Sequence, residues 1–179
     1  MSTPDLSVRR LSPAIGGEVE GVDLRDVDDA TFQAVRAALH EHCVLLFRCQ
    51  ELAPAQQVAF TRLWVEPFIT PHLPAMGGHP ELLVVANRGK DRTVTEAWHT
   101  DSIFTERPPA LTILHAVEVP DIGGDTMYAS QYAAYERLTP TWRRIVDGLR
   151  VTYVSAGLAD LVGDHGDVQR ATHPLVRTH

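Results

Sequence analysis

The chain has 179 residues, enough for one domain with a sizeable core. With 44% hydrophobic and 22% charged residues it reads as an ordinary globular protein, and a formal net charge of −7 argues against a nucleic-acid or anionic-membrane partner. Apolar runs such as VLLF (44–47) and LLVVA (82–86) are far shorter than a bilayer span, and MSTPDLSVRR lacks the apolar stretch of a secretory signal, so a soluble, cytoplasmic protein is expected.

IGGEVEGVDL (15–24) alternates apolar and polar residues between glycines and predicts a strand or hairpin. A helix is expected from Asp28 or Asp29, whose carboxylates can cap its free N–H groups, with Phe32, Val35 and Leu39 on one face. VLLF then predicts a short, fully apolar strand. Cys43 and Cys49, the only two cysteines, flank it and are expected as reduced thiols in or near the core. Pro54 suits the first turn of a second helix, with apolar surface from Val58, Phe60, Leu63 and Trp64.

From Phe68 the texture changes. FITPHLPAMGGHPE (68–81) is rich in Pro and Gly and predicts an irregular loop, followed by LLVVA as a buried strand. ALTILHAVEV (110–119) predicts another strand, with Leu111, Ile113, His115 and Val117 on one face and Thr112, Leu114 and Ala116 on the other. DIGGDT (121–126) predicts a turn, which Gly123 and Gly124 permit. Ser130 is placed to cap a short helix reaching Leu138, and Thr139 with Pro140 to restart one carrying Ile145, Val146 and Leu149. VTYV (151–154) predicts a strand, and the chain ends on HPLVRTH (173–179).

The chemistry concentrates in AWHTDSIF (97–104). His99 and Asp101 are both costly to bury unless paired or bound. On an extended segment such i and i+2 residues project from one side, with Cα atoms about 6.6 Å apart, and Thr100 points away. Two readings stand: a structural hydrogen-bonded pair, or two arms of a metal site. An imidazole and a carboxylate with open positions suit non-haem Fe(II) when a second histidine completes a facial triad. A zinc hydrolase would need a further His, Cys or carboxylate at ligand spacing, and no convincing set is present. His115 shares a face with Leu111 and Ile113 and reads as a satisfied core histidine. His165, in GDHGD, reads as a solvated turn, and His40 and His42 lie at a helix end. Trp98 reads as packing that braces the strand.

WHTD followed by PPA, then GGDT, and later HPLVRTH, closely resembles the taurine dioxygenase/TfdA family of Fe(II)- and 2-oxoglutarate-dependent dioxygenases. IGGEVEGVDL and VLLFRCQ resemble its N-terminal segments, so the likeness runs in order through nearly the whole chain. It implies a mixed α+β fold with a double-stranded β-helix (jelly-roll-like) core and flanking helices. It implies His99 and Asp101 as the first two iron ligands and Thr126 as a hydrogen-bonding partner of 2-oxoglutarate. Phe104 becomes an apolar contact near the substrate. Fe(II), 2-oxoglutarate and O2 are the implied cofactor and co-substrates, with succinate and CO2 released. His173 and His179 match family histidines that are not iron ligands.

The family's third ligand, a histidine, lies well over a hundred residues beyond the H-x-D, and an arginine that binds 2-oxoglutarate lies further on. Neither falls within these 179 residues, so a partial domain over 1–179 with an incomplete C-terminal barrel, weakly active or inactive, is expected. The alternative is a non-catalytic remnant or binding fragment of such an enzyme. Thr70 and Thr95 fall where taurine dioxygenase itself contacts its substrate, with His72 nearby. Thr70 cannot carry positive charge, which disfavours taurine and leaves alkyl sulfates, aryloxyacetates and other small acids. The expected partner is this small molecule, with a homo-oligomer left open.

Overall fold

Strand β1 (Ser7–Arg10) runs antiparallel to β2 (Gly17–Glu20), pairing Val8 with Val19 and Arg9 with Glu18, and β2 runs parallel to β3 (Leu45–Phe47). The computed structural model describes residues 6–69, 75–86, 97–155 and 168–178. These fall into two compact units, Met1–Glu66 with Leu114–Leu138, and Pro67–Ile113 with Thr139–His179. The described residues combine helices with several short sheets, the mixed α/β character expected.

In the first unit a parallel β2–β3 pair needs a crossover, and α1 (Asp29–His42) supplies it. Asp28 caps this helix as expected, its Oδ1 accepting from Thr31 N at 2.8 Å. The buried stripe is Phe32, Val35, Ala38 and His42, with Val35 fully enclosed. Leu39, expected beside them, is only half-buried. Cys43 ends the helix in the left-handed region (φ 61°), its N–H donating to Leu39 O at 2.7 Å. Both cysteines are free thiols, though Cys49 is exposed rather than near the core.

Gly17 lies where β2 passes beneath the end of α1. A Cβ there would meet Val8 Cγ1 at 2.8 Å and the His42 ring at 3.0 Å, so only glycine allows this approach. Its neighbour Glu18 is buried on the middle strand. It accepts from Arg48 Nε at 2.7 Å and is also bonded by Arg9. The Arg48 hydrogen bond, aided by Arg9, holds its carboxyl below the ordinary value against the opposing effect of burial. Helix α2 (Pro54–Trp64) starts at a proline, with Gln56 Oε1 accepting from Ala53 N at 2.8 Å. Val58 and Phe60 are buried, and the Trp64 ring stands edge-on to Phe32 at 4.9 Å. Leu63 faces outward. Helix α3 (Gln131–Glu136) is capped by Ser130 and ends two residues before Leu138.

The second unit departs from expectation. The segment expected as an irregular loop contains a hairpin, β4 (Ala75–Met76) and β5 (His79–Leu83), because Gly77 and Gly78 (φ 81°) make a tight turn between them. The strand expected at 82–86 is therefore displaced. Pairing decides its position: Leu83 lies opposite Ala75, and Val84 and Val85 beyond the ladder are exposed. Helix α4 (Pro140–Val146) is capped by Thr139 Oγ1. Strands β6 (Arg150–Val154) and β7 (Arg170–Pro174) pair antiparallel, Val151 opposite His173 and Tyr153 opposite Ala171.

Residues 110–119 form no strand, contrary to expectation. The alternation survives in part, with Leu111, Ile113 and His115 half-buried, but Val117 is 87% exposed. A strand requires a hydrogen-bonded neighbour, and no described segment pairs with this one. Among the described residues, no helix is long and apolar enough to cross a membrane.

Candidate metal site

The chain turns directly after His99 and Thr100. Ser102 adopts φ 48°, and both the N–H and the hydroxyl of Thr105 donate to its carbonyl, at 3.0 and 2.8 Å. This turn begins at Asp101 and carries Phe104 half-buried within it. His99 Nε2 lies 3.2 Å from Asp101 Oδ1, and the side chains are 50% and 47% exposed.

The outer atoms of both groups are already engaged. His99 Nδ1 lies 2.7 Å from the Ala97 carbonyl, which can only accept, so Nδ1 carries the hydrogen. Asp101 Oδ2 accepts from Thr112 Oγ1 at 2.6 Å. A neutral imidazole then turns the Nε2 lone pair toward a carboxylate oxygen. Two lone-pair atoms at this distance repel unless a cation stands between them. A proton on Nε2 gives an ion pair; a metal gives two ligands. Two metal–ligand bonds of about 2.1 Å at right angles would separate their donors by about 3 Å, so the donor pair fits a divalent ion. Among the described residues no third His, Cys, Asp or Glu joins them.

The sequence pattern of the family described as "Taurine catabolism dioxygenase TauD, TfdA family" matches residues 7–179. The chain belongs to this family. An alpha-ketoglutarate-dependent sulfate ester dioxygenase of Pseudomonas putida is 35% identical, over 98% of this chain and 63% of its own length. An alpha-ketoglutarate-dependent sulfonate dioxygenase of Saccharomyces cerevisiae is 30% identical, over 97% of this chain and 46% of its own. A crystal structure of a taurine dioxygenase from Burkholderia xenovorans superposes with a TM-score of 0.82 at 35% identity, covering 98% of this chain and 60% of that one. The chain thus spans 46–63% of the length of these relatives. TauD/TfdA dioxygenases use Fe(II), 2-oxoglutarate and O2.

Of the residues singled out from the sequence of this TauD/TfdA-family chain, His99 and Asp101 come together, with Phe104 three positions on. Thr126 is exposed in the first unit, just after Gly123 and Gly124, both at positive φ (79° and 74°). Thr70, Thr95, His72, His165 and His179 lie outside the described residues. Trp98, expected to pack against a strand, is 70% exposed. His115 is half-buried and satisfied, its Nε2 donating to Gln50 O at 3.2 Å.

Two participants were not singled out. Thr112, read only as part of one face of a strand, orients Asp101. His173, read only as a non-ligand, is 7% exposed and bonds the turn itself, with Nε2 3.0 Å from Ile103 O and 2.9 Å from Thr105 O. Its place on the inward face of an alternating strand was the available signal.

Proposed function

We propose that residues 1–179 are part of a 2-oxoglutarate-dependent dioxygenase domain with a jelly-roll-like core, cytoplasmic, acting on a small anionic organic molecule. The observation that carries this reading is the approach of His99 Nε2 to Asp101 Oδ1 at 3.2 Å while Nδ1 and Oδ2 are held elsewhere. Fe(II) held there would activate O2, the oxidant, with 2-oxoglutarate as co-reductant: one oxygen atom would enter the substrate C–H bond and the other succinate, with release of CO2. His99 and Asp101 hold the metal. The Ala97 carbonyl keeps the imidazole in the tautomer whose Nε2 is free, and Thr112 keeps Oδ1 turned inward. By the family resemblance, Thr126 would hydrogen-bond the co-substrate's distal carboxylate. Phe104 offers apolar surface to the substrate, and Thr70 and Thr95 contact its polar end.

The name of one relative, a sulfate ester dioxygenase, supports an alkyl sulfate. Threonine at position 70 offers only a neutral hydroxyl, which disfavours taurine itself. The test is an anaerobic titration of the 179-residue chain with Fe(II) and 2-oxoglutarate. A visible charge-transfer absorption is expected, lost in His99→Ala and Asp101→Ala; its absence from the unaltered chain overturns the reading.

One observation favours a second reading. The same 3.2 Å suits an imidazolium–carboxylate bond, and no third donor joins the pair among the described residues. The polypeptide is then a non-catalytic remnant or binding fragment, and the titration stays colourless.

A further inference from the structure

We propose that His173 is a positioning residue of the metal site: through one N–H shared by two carbonyls it holds the turn that aims Asp101. This rests on the metal-site reading above. Strand β7 alternates, with Ala171 and His173 facing inward and Arg170, Thr172 and Pro174 outward. The outward face is tied separately, Thr152 Oγ1 to Thr172 Oγ1 at 2.8 Å and an Arg150 guanidinium N–H donating to Thr172 O at 3.0 Å. The inward face is therefore free to serve another purpose. The His173 ring sits 6.2 Å from that of Tyr153, which lies on the inward face of β6.

The chemistry at Nε2 has one solution. Ile103 O and Thr105 O, at 3.0 and 2.9 Å, are both acceptors, so Nε2 must donate to both and cannot also offer a lone pair to a metal. This accounts for a buried histidine close in space to the H-x-D that is not a ligand. The two carbonyls belong to the turn that begins at Asp101, where Ser102 is already in the left-handed region. Such a conformation persists only when its surroundings over-determine it. Without the shared N–H, two carbonyls lose a partner, and Asp101 loses the fixed backbone that brings Oδ1 to His99.

The experiment compares Mn(II) binding, followed by the electron paramagnetic resonance of free Mn(II), with thermal unfolding in the 179-residue chain. His173→Phe is expected to weaken binding on the order of tenfold. His173→Gln, which places an N–H donor near Nε2, is expected to restore most of it. Tyr153→Leu removes the neighbouring ring but leaves the N–H in place; it is expected to lower the unfolding temperature without changing affinity. Equal affinity in His173→Phe, no rescue by glutamine, or an equal loss in Tyr153→Leu overturns the role of His173 while leaving the metal site intact. No Mn(II) binding by the unaltered chain instead overturns the metal-site reading on which it depends.

Should His173→Phe not fold, the unaltered chain answers by NMR. Coupling between two sites is reciprocal. Saturating Zn(II) is expected to slow solvent exchange of the His173 Nε2 proton severalfold, and unchanged exchange with Zn(II) bound overturns the proposal.

Discussion

Thr112 donates its hydroxyl to Asp101 Oδ2 at 2.6 Å, and this single bond decides which carboxylate oxygen faces His99. Without it the carboxylate can rotate about its last torsion and present either oxygen or neither. Thr112→Val keeps the shape of the side chain and removes the donor. It is expected to weaken Mn(II) binding on the order of tenfold, in the range typical for partners of metal ligands. Thr112→Ser should bind nearly as tightly as the unaltered chain. Calorimetric titration with Mn(II) checks both, and equal affinities for all three would remove Thr112 from the site.

Gly17 should not tolerate a methyl group. A Cβ would stand 2.8 Å from Val8 Cγ1 and 3.0 Å from the His42 ring, and neither a paired strand nor a buried helix end can easily retreat. Gly17→Ala is expected to cost about 1–3 kcal/mol, the usual price of overpacking. Urea unfolding followed by tryptophan fluorescence measures it, with Trp64 packed against Phe32 in the same unit.

Val35 is the fully enclosed side chain of α1. Val35→Ala removes two methyl groups and leaves a cavity, with an expected loss of about 2 kcal/mol. Val58→Ala, on α2, should behave similarly, since Val58 is also buried. Differential scanning calorimetry of the two variants tests whether both helices draw on buried apolar packing for their stability.

Acid should weaken the first unit in a defined window. Hydrogen bonds from Arg25 lower the Asp23 carboxyl from 3.8 to about 2, the Arg48 bond lowers Glu18, and the bond to Thr31 lowers Asp28. For carboxyls depressed by folding, the stabilisation is complete above their unfolded values near pH 4 and is lost as pH falls through the folded ones. The unfolding temperature is therefore expected to drop between pH 4 and pH 2. Asp23→Asn should be less stable than the unaltered chain at pH 6, with the difference shrinking as pH falls toward about 2 and lost only below it. Thermal unfolding monitored by circular dichroism at these pH values is the check.

Helix ends were legible in the sequence because capping is local chemistry. Asp28, Ser130 and Thr139 each bond an N–H three residues ahead, as their positions before apolar periodic runs suggested. Strands were less legible. Apolar runs at 82–86 and 110–119 had the composition of strands, yet a strand exists only where another segment pairs with it. The first run moved into a hairpin with Ala75 and Met76, and the second found no ladder among the described residues.

The sequence by itself determined that the side chains of His99 and Asp101 meet. An imidazole and a carboxylate two positions apart meet through the backbone that joins them, and His99 and Asp101 do so. It also determined the family, through motifs in fixed order. Only the tertiary structure decided what holds the pair: Thr112 reaches Asp101 from 11 residues away, and His173 reaches the turn from 70 and 68 residues away. Such bonds depend on how distant segments fold back on one another, which no local spacing encodes.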